Sequence, residues 1–264
     1  MFGKTARVAV IGPEGPCVER VMEGALNAAE RFEAAVTREN EMSELSNLCS
    51  VGAGHYVEVS EWLWHLLQLA NDIAYRTDGL FDVVAAGTDG VATWTDIDLS
   101  SKGMVRLRRP LFLSFGGLAK GFAVDLAVKA LKETGVQAGL VDIGGCIRAF
   151  GLREWRVDFA PSAISTSGGE PVAVPIPLRD DAMAGCGSYF GATRLMNFQQ
   201  GVTMSSQEWG DMNVLVRAQS CAVADALSKV AAINPCDSQK MLRQFGAKAT
   251  VLTQLGTESL KYVS

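Results

Sequence analysis

Two hydrophobic rhythms run along the chain, and the stretch over which each holds predicts the elements. Residues 17 to 36 repeat apolar positions at helical spacing, with Val18, Val21, Ala25, Ala29 and Phe32 on one stripe and Pro16 ahead as a start signal. A polar stretch from Thr37 to Ser43 separates this helix from a short helical turn at Glu44 to Leu48. Ser60 has the character of an N-cap for a second long helix, running through Tyr75 and ending near Asp78 and Gly79. Leu63, Leu66, Leu67 and Ala70 form its inward stripe. Trp62 and Trp64 cannot both join that stripe, so one of them is expected to meet another element.

From residue 96 to 115 the rhythm shortens to alternation, with turn residues at Ser100 to Gly103 and at Pro110, which predicts antiparallel strands. A helix is then expected to about Thr134, with Gly135 as its C-cap. Ala138 to Ile143 reads as a buried strand, and beyond Gly144 and Gly145 the strand rhythm continues through Cys146 to Gly151 and Trp155 to Phe159. Residues 161 to 177, rich in Ser, Gly and Pro, are expected to loop before a further strand. The final third predicts a strand from Met212 to Arg217, helices from Ala222 to Ile233 and Pro235 to Phe245, and a strand from Ala247 to Leu252. No repeat and no interdomain linker interrupts residues 1 to 264, so a single domain is expected. Its class is α+β, with mixed or antiparallel sheets and packed helices rather than steady βαβ alternation.

Composition narrows the function classes. The 264 residues suffice for a large core, and 48% hydrophobic with 20% charged content is ordinary for a globular protein. A formal charge of -5, without runs of basic residues interleaved with aromatics, argues against a nucleic-acid partner. No run of about eighteen apolar residues predicts a membrane helix. The N-terminal residues lack the pattern of a secretory signal or lipoprotein anchor, so a cytoplasmic setting is expected. Cys17, Cys49, Cys146, Cys186, Cys221 and Cys236 form no Cys-x-x-Cys pair and are expected to be reduced, with no zinc site. His55 and His65 read as structural or surface residues.

The chemistry concentrates at Ser114 to Asp125, Ser-Phe-Gly-Gly-Leu-Ala-Lys-Gly-Phe-Ala-Val-Asp. A strand-like run meets Gly116 and Gly117, and a helix begins behind them with Lys120 in its first turn. Glycines there let backbone approach a ligand closely, and a helix N-terminus favours an anion, phosphate above all. The same residues also suit a plain tight turn with a solvated lysine. The spacing is neither that of a Rossmann fingerprint nor that of a P-loop.

Several segments together resemble the ApbE family of FAD:protein FMN transferases. Ser43 to Leu48 is similar to the family's Ser-Glu-(Leu/Ile)-Ser-x-Leu-Asn, Thr77 to Asp82 to its Thr-Asp-Gly-x-Phe-Asp, and Gly116 to Asp125 to its Gly-Gly-Ile-Ala-Lys-Gly-Tyr-Ala-Val-Asp. Val141 to Gly145 and Ala224 to Leu227 stand where the family has Val-Asn-Leu-Gly-Gly and Ala-Asp-Ala-Leu. The resemblance implies a two-lobed, T-fold-related single unit that binds FAD as substrate with Mg²⁺. It implies transfer of FMN to a threonine hydroxyl of an acceptor protein, with release of AMP. Flavin-nucleotide contacts are implied for Glu44, Asp78, Gly116, Gly117, Lys120 and Asp125, and catalytic roles for Asp225 and Lys120. The cation would be held by the Ala119 carbonyl and Asp225, with Ser228 as a substitute ligand. Without the resemblance, Asp225 reads as an acid near a helix N-terminus, favoured there by the dipole.

The sequence departs from the family at reactive positions. Lys229 stands where a metal-ligating Thr or Asp is usual, and on a helix it is the i+4 neighbour of Asp225. The expectation drawn from this is that its ammonium partly replaces or repositions the cation. Ser114 replaces an Asp, Cys146 an acid, and Gly185-Cys186-Gly187 a Thr-Ser-Gly, while the His-x-x-Asp-Pro-x-Thr-Gly stretch survives only in outline at Arg194 to Gly201. Neither cysteine has a histidine nearby in sequence to activate it as a nucleophile. An FAD- or nucleotide-binding relative without transfer, serving storage, delivery or partner interaction, is therefore the alternative reading.

Overall fold

The computed structural model describes residues 1–12, 16–87, 92–159, 174–187, 194–197, 202–205, 213–235, 238–252 and 260–263. The first third runs β1 (Ala6–Ile11), α1 (Pro16–Val36), α2 (Glu44–Ser50), β2 (Tyr56–Glu58), α3 (Glu61–Arg76) and β3 (Val84–Gly87). After a 3-10 turn at Trp94–Asp96 come β4 (Ile97–Ser101), β5 (Met104–Leu107), β6 (Leu111–Leu113), α4 (Ala119–Glu133), β7 (Ala138–Ile143), β8 (Cys146–Phe150) and β9 (Trp155–Phe159). Then follow β10 (Val174–Leu178), β11 (Ala182–Gly187), β12 (Arg194–Asn197), β13 (Val202–Ser205) and β14 (Asn213–Ala218). The chain closes with α5 (Cys221–Ile233), α6 (Ser238–Gln244), β15 (Lys248–Leu252) and β16 (Leu260–Val263).

Seven strands form one sheet in the order β1-β7-β8-β11-β14-β15-β16, with every pairing antiparallel. The tight hairpin between β7 and β8 closes through Gly144 and Gly145, both at positive φ (58° and 84°). A two-residue loop that matches strand twist requires such angles, and glycine adopts them without strain.

Period-two alternation sorts the sheet's two faces. Val141, Ile143, Cys146, Phe150, Ala182, Ala184, Cys186, Val214 and Val216 enter the main core beneath α4 and α5. The intervening Ile147, Ala149, Met183 and Leu215 point the other way and form a second, smaller core with Leu178, against which Trp155, Val157 and Ile176 pack. Helix α1 lies against α4, and the main core runs on into α2, α3 and the short sheets β2-β5-β4 and β3-β6. This is the α+β class that the sequence predicts.

The differences from expectation have local causes. β2 and β3 are three and four residues long, too short for alternation to register. The expected loop to residue 177 gives way at Val174 to β10, an edge partner of β9. Pro175 and Pro177 are two apart and fall on one side of that two-stranded ribbon, where an edge strand tolerates the missing N–H. The helix expected from Pro235 to Phe245 is the shorter Ser238–Gln244. Trp64 enters the core, while Trp62 is half-buried with the Arg31 guanidinium of α1 5.6 Å from its ring. His55 and His65 are exposed. The five described cysteines are free thiols, and Cys236 lies outside the described residues. No described helix is long and apolar enough to cross a membrane.

Candidate functional site

Strand β6 delivers the chain to the glycine turn. Ser114 donates its amide to the Val83 carbonyl (2.7 Å), and the buried Phe115 anchors the corner. The Leu118 and Ala119 amides both donate to the Phe115 carbonyl, at 2.9 and 2.8 Å, which starts α4. Leu118, at the N-cap, has no side chain able to cap, so the first turn of α4 needs donors satisfied from elsewhere. Among the described residues no backbone acceptor takes the Gly116 or Gly117 amide. Gly116 and Ala119 also line a cleft of about 500 Å³ that includes Thr37, Arg38, Leu45 and Ser114.

Asp225, fully buried on α5, supplies the missing cap. Its Oδ2 accepts the Gly121 amide (3.1 Å) and lies 3.8 Å from the Lys120 ammonium, while its Oδ1 accepts the Lys229 ammonium. Burial pushes the Asp225 carboxyl up, and the charges of Lys229 and Lys120 with the Gly121 amide outweigh it, holding the group below the usual carboxylate range. For Lys229, burial pulls the ammonium down and the Asp225 carboxylate prevails, raising it above its ordinary value. One carboxylate facing two ammoniums leaves one positive charge in excess beside the open glycine amides. Such a corner attracts an anion.

The close approach of the two helices is sterically enforced. A Cβ on Gly121 would stand 2.3 Å from the Cys221 carbonyl oxygen, so only glycine lets α4 and α5 meet there. At Gly117 a Cβ would come within 3.3 Å of the Phe81 ring and 3.8 Å of the Lys229 stem. Phe81 is placed by the Thr77 segment. The Thr77 hydroxyl donates to the Ile73 carbonyl (2.8 Å) and accepts the Phe81 amide (3.2 Å), and Asp78 takes the turn at φ 52°. Two motifs far apart in sequence thus meet at Gly117.

Asp125 faces the other way. It accepts from Arg148 (2.6 Å), from the Ser220 hydroxyl (2.7 Å), and from the Cys221 and Ala222 amides (3.0 Å each), so it caps the N-terminus of α5 from α4. Glu44 is likewise engaged: its carboxylate accepts the Ser60 amide and hydroxyl, fixing the N-cap of α3. The structure therefore brings Gly116, Gly117, Ala119, Lys120, Asp225 and Ser228 together and places Glu44, Asp78 and Asp125 at supporting joints. The Arg194 to Gly201 outline falls on β12 and on residues 198–201, which lie outside the described residues.

Near Lys229 lie the thiols of Cys146 and Cys186, with Cys221 beside Cys146, a group that the sequence does not show. Cys146 and Cys186 project from the sheet and Cys221 from α5, all buried. Burial raises the thiols of Cys186 and Cys221, in Cys186 against the Lys229 charge, which leaves them poor nucleophiles.

Two of the three groups named for a cation, Asp225 and Ser228, are already engaged and as they stand do not fit a divalent ion. Mg²⁺ demands near-octahedral oxygen coordination. Asp225 already accepts from a backbone amide and Lys229. The Ser228 hydroxyl donates to the Asp225 carbonyl (2.7 Å) and accepts Lys229 (3.2 Å). No cluster of three or more His, Cys, Asp or Glu able to hold a metal occurs among the described residues.

Comparison with known proteins gives one consistent picture. The profile of the ApbE family matches residues 2–94 and 87–252. An FAD:protein FMN transferase of Rhodobacter capsulatus is 29% identical over a match covering 43% of this chain and 27% of that protein, so the chain spans about a quarter of that relative's length. The apo flavinyl transferase ApbE of Pseudomonas stutzeri aligns with a TM-score of 0.76 at 19% identity, over 96% of this chain and 92% of that one. The flavin transferase ApbE of Vibrio cholerae gives 0.78 at 18% identity, over 95% and 90%. The ApbE protein of Thermotoga maritima gives 0.73 at 21%, over 95% and 91%. At these identities the structural likeness speaks for the fold.

Proposed function

The chain belongs to the ApbE family, and from that premise we propose that it binds FAD with the pyrophosphate at the Gly116–Lys120 corner and transfers FMN to a hydroxyl, a threonine's, on an acceptor protein. The observation that carries this reading is the convergence of Lys120 and Lys229 on one buried carboxylate beside the open Gly116 and Gly117 amides. The acceptor oxygen attacks the flavin-side phosphorus, and a new P–O ester bond forms. The bond from that phosphorus to the bridging oxygen breaks, AMP leaves with the bonding pair, and the hydroxyl proton is released to solvent. Lys120 and the glycine amides steady the charge on the pyrophosphate oxygens as the bridge breaks. Asp225 holds Lys120 and the start of α4 in place, Asp78 takes the turn that sets Phe81 against Gly117, and Glu44 and Asp125 serve as structural caps of α3 and α5. The Mg²⁺ implied by the resemblance is given no step, because Asp225 and Ser228 are already committed.

That commitment also favours a second reading, in which FAD is bound without transfer. Incubation with FAD, with and without Mg²⁺, followed by chromatography for AMP and protein-bound flavin, separates the two. AMP release together with flavin on a supplied threonine-bearing acceptor supports transfer. Flavin fluorescence quenching with no AMP supports binding alone, and neither signal rejects both.

A further inference from the structure

We propose that this chain carries the counter-charge of its nucleotide site as a side chain, Lys229, and takes the FAD pyrophosphate without a divalent cation. The inference rests on the FAD reading above for the identity of the ligand, but its argument is local.

Lys229 is held on the Asp225 and Ser228 oxygens that a cation would need. It lies one helical turn after Asp225 on the same face of α5, its ammonium bonds Oδ1, and it also donates to the Ser228 hydroxyl at 3.2 Å. Its stem runs past Gly117, 3.8 Å from where a Cβ would stand, so the lysine packs against the glycine turn. The side chain is 16% exposed, so it is a fixed part of the site rather than a surface lysine folded inward. The remaining Asp225 oxygen holds the Gly121 amide, with Lys120 3.8 Å away. A divalent ion arriving here meets two like charges and finds the carboxylate and hydroxyl oxygens already used. A pyrophosphate meets the reverse: a protein-borne excess of one positive charge.

The ammonium and a metal ion do different work. A protonated lysine offers donors and no coordination site, so it neutralises phosphate oxygens by hydrogen bonding and cannot bind them as ligands. The site is then indifferent to chelators. Restoring an oxygen at this position, as Lys229→Thr, vacates Asp225 Oδ1 and frees the Ser228 hydroxyl, so the variant gains a cation site.

The test has two arms. Mn²⁺ is titrated into the protein alone and followed by electron paramagnetic resonance, and FAD is titrated by fluorescence quenching with a chelator or with millimolar Mg²⁺. For the unaltered chain no bound Mn²⁺ is expected, and FAD affinity is expected to agree within about twofold in the two conditions. Lys229→Thr is expected to bind Mn²⁺ and to lose about tenfold in FAD affinity on chelation. Stoichiometric Mn²⁺ on the unaltered chain, or tightening of FAD by about tenfold on adding Mg²⁺, overturns the proposal. Both decisive measurements use the unaltered chain, so a variant that fails to fold leaves them standing. If FAD binds in neither condition, the FAD reading fails, and the Mn²⁺ titration still decides whether Asp225 takes a cation.

Discussion

Asp125 and Asp225 hold one joint from opposite sides. Asp125 reaches from α4 to cap α5, and Asp225 reaches from α5 to satisfy the Gly121 amide of α4. Each carboxylate serves the other helix's N-terminus, so the pair is a reciprocal cap. The difference lies in the surrounding charge. Asp125 spends its oxygens on two backbone amides, a hydroxyl and one guanidinium, which balances it. Asp225 has two ammoniums and lies in the corner of the Gly116 and Gly117 amides, which no backbone acceptor among the described residues takes. The same residue type in the same local role thus makes a finished structural joint at one end and an anion-seeking corner at the other. Surplus charge, rather than the presence of a buried acid, marks the functional end.

Breaking the two ends should give unequal results. Asp225→Ala strands two partly buried ammoniums against each other and uncaps α4, for an expected loss of about 3–5 kcal/mol in chemical denaturation. Gly121→Ala drives a methyl into the Cys221 carbonyl and prises both ends apart, at an expected cost of about 3 kcal/mol by the same measurement. Asp125→Ala removes a cap and frees Arg148, which should cost about 2 kcal/mol while leaving FAD affinity within about twofold. Lys120→Met should change stability by less than about 1 kcal/mol, because the lysine sits 3.8 Å from a carboxylate that retains Lys229 and Gly121. The sharpened comparison is that stability falls most with the two aspartates and Gly121, and FAD binding with Lys120.

The long helices and the main-sheet strands were legible because their apolar spacing repeats over enough residues to register, as at Val18 to Phe32 and at Ala138 to Phe150. Tyr56–Glu58 and Val84–Gly87 were not, since their strand character comes from partners elsewhere in the chain. At the site, Lys120 and Asp225 stood out through their motif neighbours, and Lys229 because it stands where the resembled family has a metal-ligating Thr or Asp. What stayed hidden was the use of each group. Asp125 finds Ser220 across 95 positions and Asp225 finds Gly121 across 104, separations that no periodicity reports. The thiols of Cys146, Cys186 and Cys221 are likewise gathered only by the packing of β8 and β11 beneath α5.

The most direct test of the unequal ends is FAD affinity, measured by fluorescence quenching for Lys120→Met and Asp125→Ala beside the unaltered chain, with thermal melts on the same samples. The account predicts that Lys120→Met weakens FAD by about tenfold or more with little change in melting, and that Asp125→Ala lowers melting with affinity nearly intact. FAD binding by Lys120→Met as tight as that of the unaltered chain would contradict it.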